Sequence, residues 1–129
     1  MIFEAIIVDD EAPARVELIN QLARTGRVTV VDEAVCLQEG VAKMQSKRID
    51  VAFIDHNIAG AGTQLLPQAL REMDYTPALI YMTAYTDVMD EPFGVRPLAY
   101  LTKPVDNSKL DDVVALLDRV YARKVEVDY

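Results

Sequence analysis

The chain has 129 residues, of which 51% are hydrophobic and 26% charged, which suits one globular domain with a sizeable core. Its net charge of −8 argues against direct binding of nucleic acid, because phosphate contacts need a basic surface. No apolar run approaches the roughly 20 residues of a membrane-spanning helix, and the single Cys36 excludes both an intramolecular disulfide and a zinc site built on several cysteines. Met1 to Glu4 carries no basic stretch of a secretory leader, so a reducing cytoplasm, with no membrane contact, is the expected setting.

Taken in chain order, strands and helices alternate. A first strand is expected over about Phe3 to Val8, running into Asp9-Asp10. A helix follows from Pro13 to Arg24, with proline suited to its first turn and Gly26 ending it. Val16, Ile19, Leu22 and Ala23 make its expected apolar stripe. A second strand covers Val28 to Asp32. The next helix runs from Leu37 to Gln45, with Leu37, Val41 and Met44 inward. The third strand, Val51 to Ile54, runs into Asp55. A loop with Gly60 and Gly62 leads to a helix from Thr63 to Met73, capped by Thr63 or Gly62. The fourth strand, Ala78 to Met82, runs into Thr83. Thr86 to Glu91 is expected to form a truncated or irregular fourth helix, since Pro92, Gly94 and Pro97 follow closely. The fifth strand, Leu98 to Thr102, runs into Lys103-Pro104. The last helix spans Ser108 to Arg123, capped by Asp106 or Ser108. Val113, Val114, Leu116, Leu117 and Val120 line its buried side, and a polar tail occupies 124–129.

Continuous β-favouring runs between helices indicate parallel strands buried on both faces. The expected fold is therefore α/β, a flavodoxin-like, doubly wound five-stranded parallel sheet of order 2-1-3-4-5 with about five helices. Ligands in such sheets sit outside the carboxyl ends of the strands, at the switch point. Here that point lies between the strands ending in Asp9-Asp10 and Asp55.

Taken singly, these residues have ordinary readings. Asp9-Asp10 suits a turn or helix start, Asp55 an Asx turn, Thr83 a strand-end hydroxyl and Lys103 a surface lysine. Together at matched strand ends they define a site. Three converging carboxylates repel one another and stay ionised if a divalent cation sits among them. All-oxygen ligation suits Mg²⁺. Asp10 and Asp55 are natural ligands, Asp9 can act through water, and the backbone carbonyl of Asn57 can complete the set. A carboxylate in such a site can also act as a nucleophile toward a phosphoryl group. The Lys103 ammonium and the Thr83 hydroxyl would then neutralise phosphoryl oxygens. His56 is expected to be an exposed loop residue, and Cys36 to be buried or half-buried packing. The basic residues Lys109, Arg119, Arg123 and Lys124, diluted by Asp106, Asp111, Asp112 and Asp118, read as a solvated helix face.

Val-Asp-Asp-Glu at Val8 to Glu11, the isolated Asp55, Thr83-Ala84 and Lys103-Pro104 resemble the receiver domain of bacterial two-component response regulators. The spacing matches, and the resemblance covers nearly the whole chain, so that 1–123 reads as one CheY-like receiver domain. Thr83-Ala84-Tyr85 and Tyr100 to Val105 look most like receivers that precede LytTR-type DNA-binding domains. The resemblance implies that Asp55 is the phosphoacceptor, served by a sensor histidine kinase or phosphotransfer protein. It implies that Asp9, Asp10 and Asp55 hold Mg²⁺ and that Thr83 and Lys103 bind phosphoryl oxygens. It makes Thr83 and Tyr100 the switch pair, Asn57 and Tyr85 the positions that tune phosphoryl lifetime, and the bond before Pro104 cis. A bulky Tyr85 would slow self-hydrolysis. The implied output is an output domain or a downstream protein target, with a homodimer as a further partner in the family.

Two departures stand out. After the phosphoacceptor the family usually carries Met-Pro-Gly, whereas this chain has Asn57-Ile58-Ala59-Gly60, which loosens the loop and removes no ligand. Pro92, Gly94 and Pro97 interrupt the segment that forms the family's output surface. With nothing after Tyr129, the chain reads either as a stand-alone receiver or as a piece of a longer protein. One alternative is a degenerate receiver that binds partners without phosphorylation, although every acceptor residue is present. Another is a phosphatase with an aspartyl nucleophile. Such enzymes place a second acid two residues beyond the nucleophile, and Asn57 cannot serve as one.

Overall fold

The computed structural model describes residues 1–58, 65–84 and 93–127. Its elements are β1 (Phe3–Val8), α1 (Ala12–Thr25), β2 (Val28–Ala34), α2 (Leu37–Ser46), β3 (Val51–Asp55), α3 (Leu65–Glu72), β4 (Ala78–Thr83), β5 (Ala99–Thr102) and α4 (Asn107–Val127). The strands form one parallel sheet of order β2-β1-β3-β4-β5, as the sequence pattern predicts. The expected helix over Thr86 to Glu91 and the expected caps at Gly62 and Thr63 lie outside the described residues. Four helices are seen among those described.

The central strands are apolar on both sides because both sides are covered. Phe3, Ala5 and Ile7 of β1, Val51 and Phe53 of β3, and Ile80 and Met82 of β4 pack with Leu18 and Leu22 of α1 and with α4. The alternate residues, Ile6 and Val8, Ala52 and Ile54, Leu79 and Tyr81, pack with α2 and α3. This is the period-2 alternation of a strand, with apolar residues at both phases. Gly40 lets α2 lie close on β1, since a Cβ there would stand 2.7 Å from Cγ2 of Val8.

The stripe on α1 differs from expectation. Leu18 and Leu22 are buried and Ile19 is half-buried, while Val16 is 57% exposed and Ala23 is exposed. Position 16 lies two residues from Leu18, about 200° around the helix, and so faces away from the sheet. Gly26 ends α1 with a positive φ of 67°, as read from the sequence. On α4 the inward residues are Leu110, Val113, Val114, Leu117 and Tyr121. Leu116 and Val120 sit half-buried on its flank, and the helix runs on to Val127. Asp106 caps it, accepting from the Ser108 backbone N–H at 2.7 Å. Cys36 is half-buried and begins α2, its sulfur accepting from the Glu39 backbone N–H at 3.5 Å.

Pairing between β1 and β2 shifts between Ala5 and Ile6, so that Val31 is passed over. Beyond this bulge Asp32 meets Lys43 at 3.0 Å and Lys47 at 2.7 Å, tying the edge strand to α2. The Lys47 contact, opposed by burial and helped by Lys43, holds the Asp32 carboxyl down at about 2 against an ordinary 3.8. A depressed carboxylate stabilises the fold above its unfolded value and loses that contribution as pH falls through its folded value.

Two outcomes are expected from urea unfolding. Leu22→Ala should cost about 2–5 kcal/mol, whereas Val16→Ala should change stability by no more than about 0.5 kcal/mol. Asp32→Asn should be less stable than wild type at neutral pH, and the gap should close as pH falls from 3.8 toward about 2. A gap that persists at the acid end would contradict the assigned ion pairs.

Candidate functional site

The last hydrogen bond of each strand ladder fixes one polar residue at the same edge of the sheet. Beyond β1, the Asp9 backbone N–H donates to the Ala34 carbonyl at 3.0 Å. Asp55 closes β3 beside Met82, and the next residue, His56, donates its N–H to the Met82 carbonyl at 2.7 Å. Thr83 closes β4, and its carbonyl accepts from the Lys103 backbone N–H at 2.7 Å. These backbones therefore have little freedom to move apart.

Asp9, Asp10 and Asp55 each bring one carboxylate oxygen within 4.8 Å of the others. Asp9 is 1% exposed and Asp55 6%, while Asp10 is open to solvent. At that spacing two unit charges repel by about 3 kcal/mol at an effective dielectric of about 20. Lys103 offsets part of this, its ammonium lying 2.8 Å from Asp9 Oδ2 and 3.5 Å from Asp55 Oδ2. Burial pushes the lysine pKa down, yet the hydrogen bond it donates to Asp9 and the charge of Asp55 outweigh it and hold the group above its ordinary value. Lys103 is thus a fixed cation. The Lys103–Pro104 bond is cis.

The remaining carboxylate oxygens are held by short turns. Glu11 donates its backbone N–H to Asp9 Oδ1 at 2.9 Å, and Asn57 donates its own to Asp55 Oδ1 at 3.1 Å. Asn57 therefore stands in the turn directly after Asp55. Thr83 is buried beside this group, 3% exposed. Tyr100 on β5 is half-buried, with its ring edge-on to Tyr81 at 5.9 Å. The structure thus draws Asp9, Asp10, Asp55 and Lys103 together, with Asn57 and Thr83 next to them. Tyr85 lies outside the described residues.

His56 corrects an expectation. It is half-buried, and both ring nitrogens are sealed from solvent with no hydrogen-bond partner among the described residues. Its neighbours in the β3–β4 ladder draw it inward, which chain position alone did not reveal. A second feature is unforeseen. Arg15 of α1, with a side chain 16% exposed, donates from Nη1 to the Asp9 carbonyl at 2.8 Å and from Nε to Glu33 Oε1 at 2.9 Å. A signal was available: Arg15 shares the inward stripe with Leu18, Ile19 and Leu22, where a charged residue needs a partner. Gln21, further along α1, donates to the Val105 carbonyl at 2.7 Å, just past Lys103-Pro104.

A five-stranded parallel sheet with a carboxylate triad and a lysine at its carboxyl edge is the architecture of a receiver domain. The chain belongs to that family: the model described as "Response regulator receiver domain" matches residues 5–115. Among curated relatives, the sensory transduction protein LytT of Bacillus subtilis is 31% identical over 123 residues, covering 95% of this chain and 51% of that protein. The sensory transduction protein LytR of Staphylococcus haemolyticus is 28% identical over 126 residues, covering 98% and 49%. The chain thus spans about half the length of the curated relatives it matches. Among solved structures, a CheY-like response regulator receiver domain from Methylobacillus flagellatus superposes with a TM-score of 0.77 at 20% identity, covering 91% of this chain and 99% of that one. PhyR from Bartonella quintana, described as an anti-anti-sigma factor, gives 0.81 at 18% identity, covering all of this chain and 52% of that one. These two likenesses concern the fold.

Removing Lys103 should expose the repulsion it offsets. Lys103→Met is expected to lose roughly 1–3 kcal/mol in urea unfolding with chelator present, and added Mg²⁺ should recover more stability than it gives wild type. Wild-type stability in chelator would show that the ammonium does not balance these carboxylates.

Proposed function

We propose that this chain is the phosphoacceptor of a two-component relay. Asp55 takes a phosphoryl group from a phosphohistidine of a sensor histidine kinase or a phosphotransfer protein. Family membership supports the reading, and the geometry suits it. One observation carries it: a buried carboxylate at a strand end, with two further carboxylates within 4.8 Å and a fixed ammonium at 3.5 Å.

In the proposed step an Asp55 carboxylate oxygen attacks phosphorus. The P–N bond of phosphohistidine breaks, its electron pair returns to the imidazole, and the product is an aspartyl phosphate. Lys103 would turn from the carboxylates to one phosphoryl oxygen, and the Thr83 hydroxyl would donate to another. The hard oxygen donors Asp9, Asp10 and Asp55, with the backbone carbonyl of Asn57, fit Mg²⁺. When bound, it would supply positive charge to a phosphoryl oxygen. Asn57 has no acidic proton to give a leaving group, so the site favours holding the phosphoryl group over hydrolysing esters. Tyr100, half-buried against Tyr81, would turn inward as Thr83 moves. That movement would change the surface around β5.

The signal would pass to an output region of a longer protein or to a separate protein target, with a second copy of the chain as a further partner. The net charge of −8 speaks against direct nucleic-acid contact by this domain. Among the described residues no helix is long and apolar enough to cross a membrane.

Incubation with Mg²⁺ and acetyl phosphate should add the mass of one phosphoryl group in intact-mass measurement. The gain should vanish with chelator and in Asp55→Asn. No gain in wild type, or an equal gain in Asp55→Asn, would overturn the assignment.

A further inference from the structure

Asp10 is the one carboxylate of the triad without a hydrogen-bond partner of its own among the described residues, and it faces solvent. Its direction is set from behind. The Asp9 carbonyl belongs to the peptide group that joins Asp9 to Asp10, so whatever holds that oxygen holds the plane from which Asp10 projects. The group that holds it is the Arg15 guanidinium, at 2.8 Å.

The arginine is itself held. Its Nε meets Glu33 Oε1 at 2.9 Å near the end of β2. Glu33 is anchored in turn, its backbone N–H bonded to Asp32 Oδ1 at 2.8 Å and its carbonyl to Lys43 Nζ at 2.5 Å. The clamp thus runs from the turn after β1, through α1, to a strand fastened to α2. Glu33 has a second effect. A lone guanidinium beside a cation site would repel the cation, and the paired carboxylate cancels that charge. Arginine suits the task because its planar fork reaches two acceptors at fixed spacing, which a lysine ammonium on a flexible stem does so less well.

We propose that Arg15 is a positioning residue for the divalent-cation site, holding the Asp9–Asp10 peptide so that Asp10 is set in place before the metal arrives. The proposal rests on the reading of Asp9, Asp10 and Asp55 as metal ligands. Groups that orient metal ligands typically carry a tenfold or larger share of affinity.

The test is calorimetric titration with Mg²⁺ alone on the unphosphorylated protein, with thermal midpoints measured in parallel. Arg15→Met is expected to weaken Mg²⁺ binding by about tenfold. Arg15→Lys, keeping one donor, should recover part of the loss. The Glu33 side chain is 44% exposed, and Glu33→Gln keeps its shape; this variant should weaken binding in the same direction by less. Arg27→Met breaks an arginine–carboxylate pair with Asp118 at the opposite end of the sheet, and should lower the midpoint while leaving Mg²⁺ affinity at the wild-type value. Binding by Arg15→Met and Glu33→Gln within about twofold of wild type would overturn the proposal while leaving the metal site intact. An equal loss of affinity in Arg27→Met would reduce the effect to general stability and overturn it too. Failure of wild type itself to bind Mg²⁺ would overturn the metal reading and this inference together.

Discussion

Three carboxylates held within 4.8 Å of one another are the constraint on which the rest of this molecule depends. Left to themselves, such charges drive the surrounding segments apart. What keeps them together is the sheet, whose last ladder bonds at Asp9, His56 and Lys103 tie each segment to its neighbour. Apolar residues on both faces then bury the sheet under helices and make those ladders expensive to open. The fold acts as a frame that keeps like charges close, and Lys103 is the internal cation that makes this tolerable.

The same arrangement explains how a small chemical event could reach a distant surface. Lys103 shares its ammonium between Asp9 and Asp55, so any new anion at Asp55 competes for it. Thr83 lies one backbone bond from Lys103, and Tyr100 lies on the strand that leads to it. A change in the hydrogen bonding of the Thr83 side chain would be felt where Tyr100 packs on Tyr81, because packed aromatic pairs have discrete arrangements. α1 serves as the support beneath: Arg15 reaches the turn after β1, and Gln21 reaches the turn after β5.

Much of this was legible in the sequence, for a physical reason. Parallel strands buried on both faces must be continuous apolar runs, and the residue that ends each run must lie at the ligand-binding edge. Asp9, Asp55, Thr83 and Lys103 could therefore be placed from pattern alone, and the strand order followed from the chain reversal at β1. What stayed hidden depends on side-chain direction and on partners far along the chain. Val16 is apolar and so suggests an inward position, although helical geometry turns it to solvent. The place of His56 after a strand suggests an exposed loop residue, although the β3–β4 ladder extends to it. The clamp of Arg15 on Glu33 joins residues 18 apart, and no local pattern encodes that pairing. The bulge at Val31 is likewise a property of two strands together.

The central claim is that these strand ends form one site that holds Mg²⁺ and a phosphoryl group on Asp55. Beryllofluoride, a tetrahedral mimic of an acyl phosphate, tests it directly when backbone amide resonances are followed by NMR. With Mg²⁺ present the account predicts saturable shifts at Asp55, Thr83, Tyr100 and Lys103, and their absence in chelator and in Asp55→Asn. Shifts that persist without Mg²⁺ or without the Asp55 carboxylate, or no shifts in wild type at all, would contradict it.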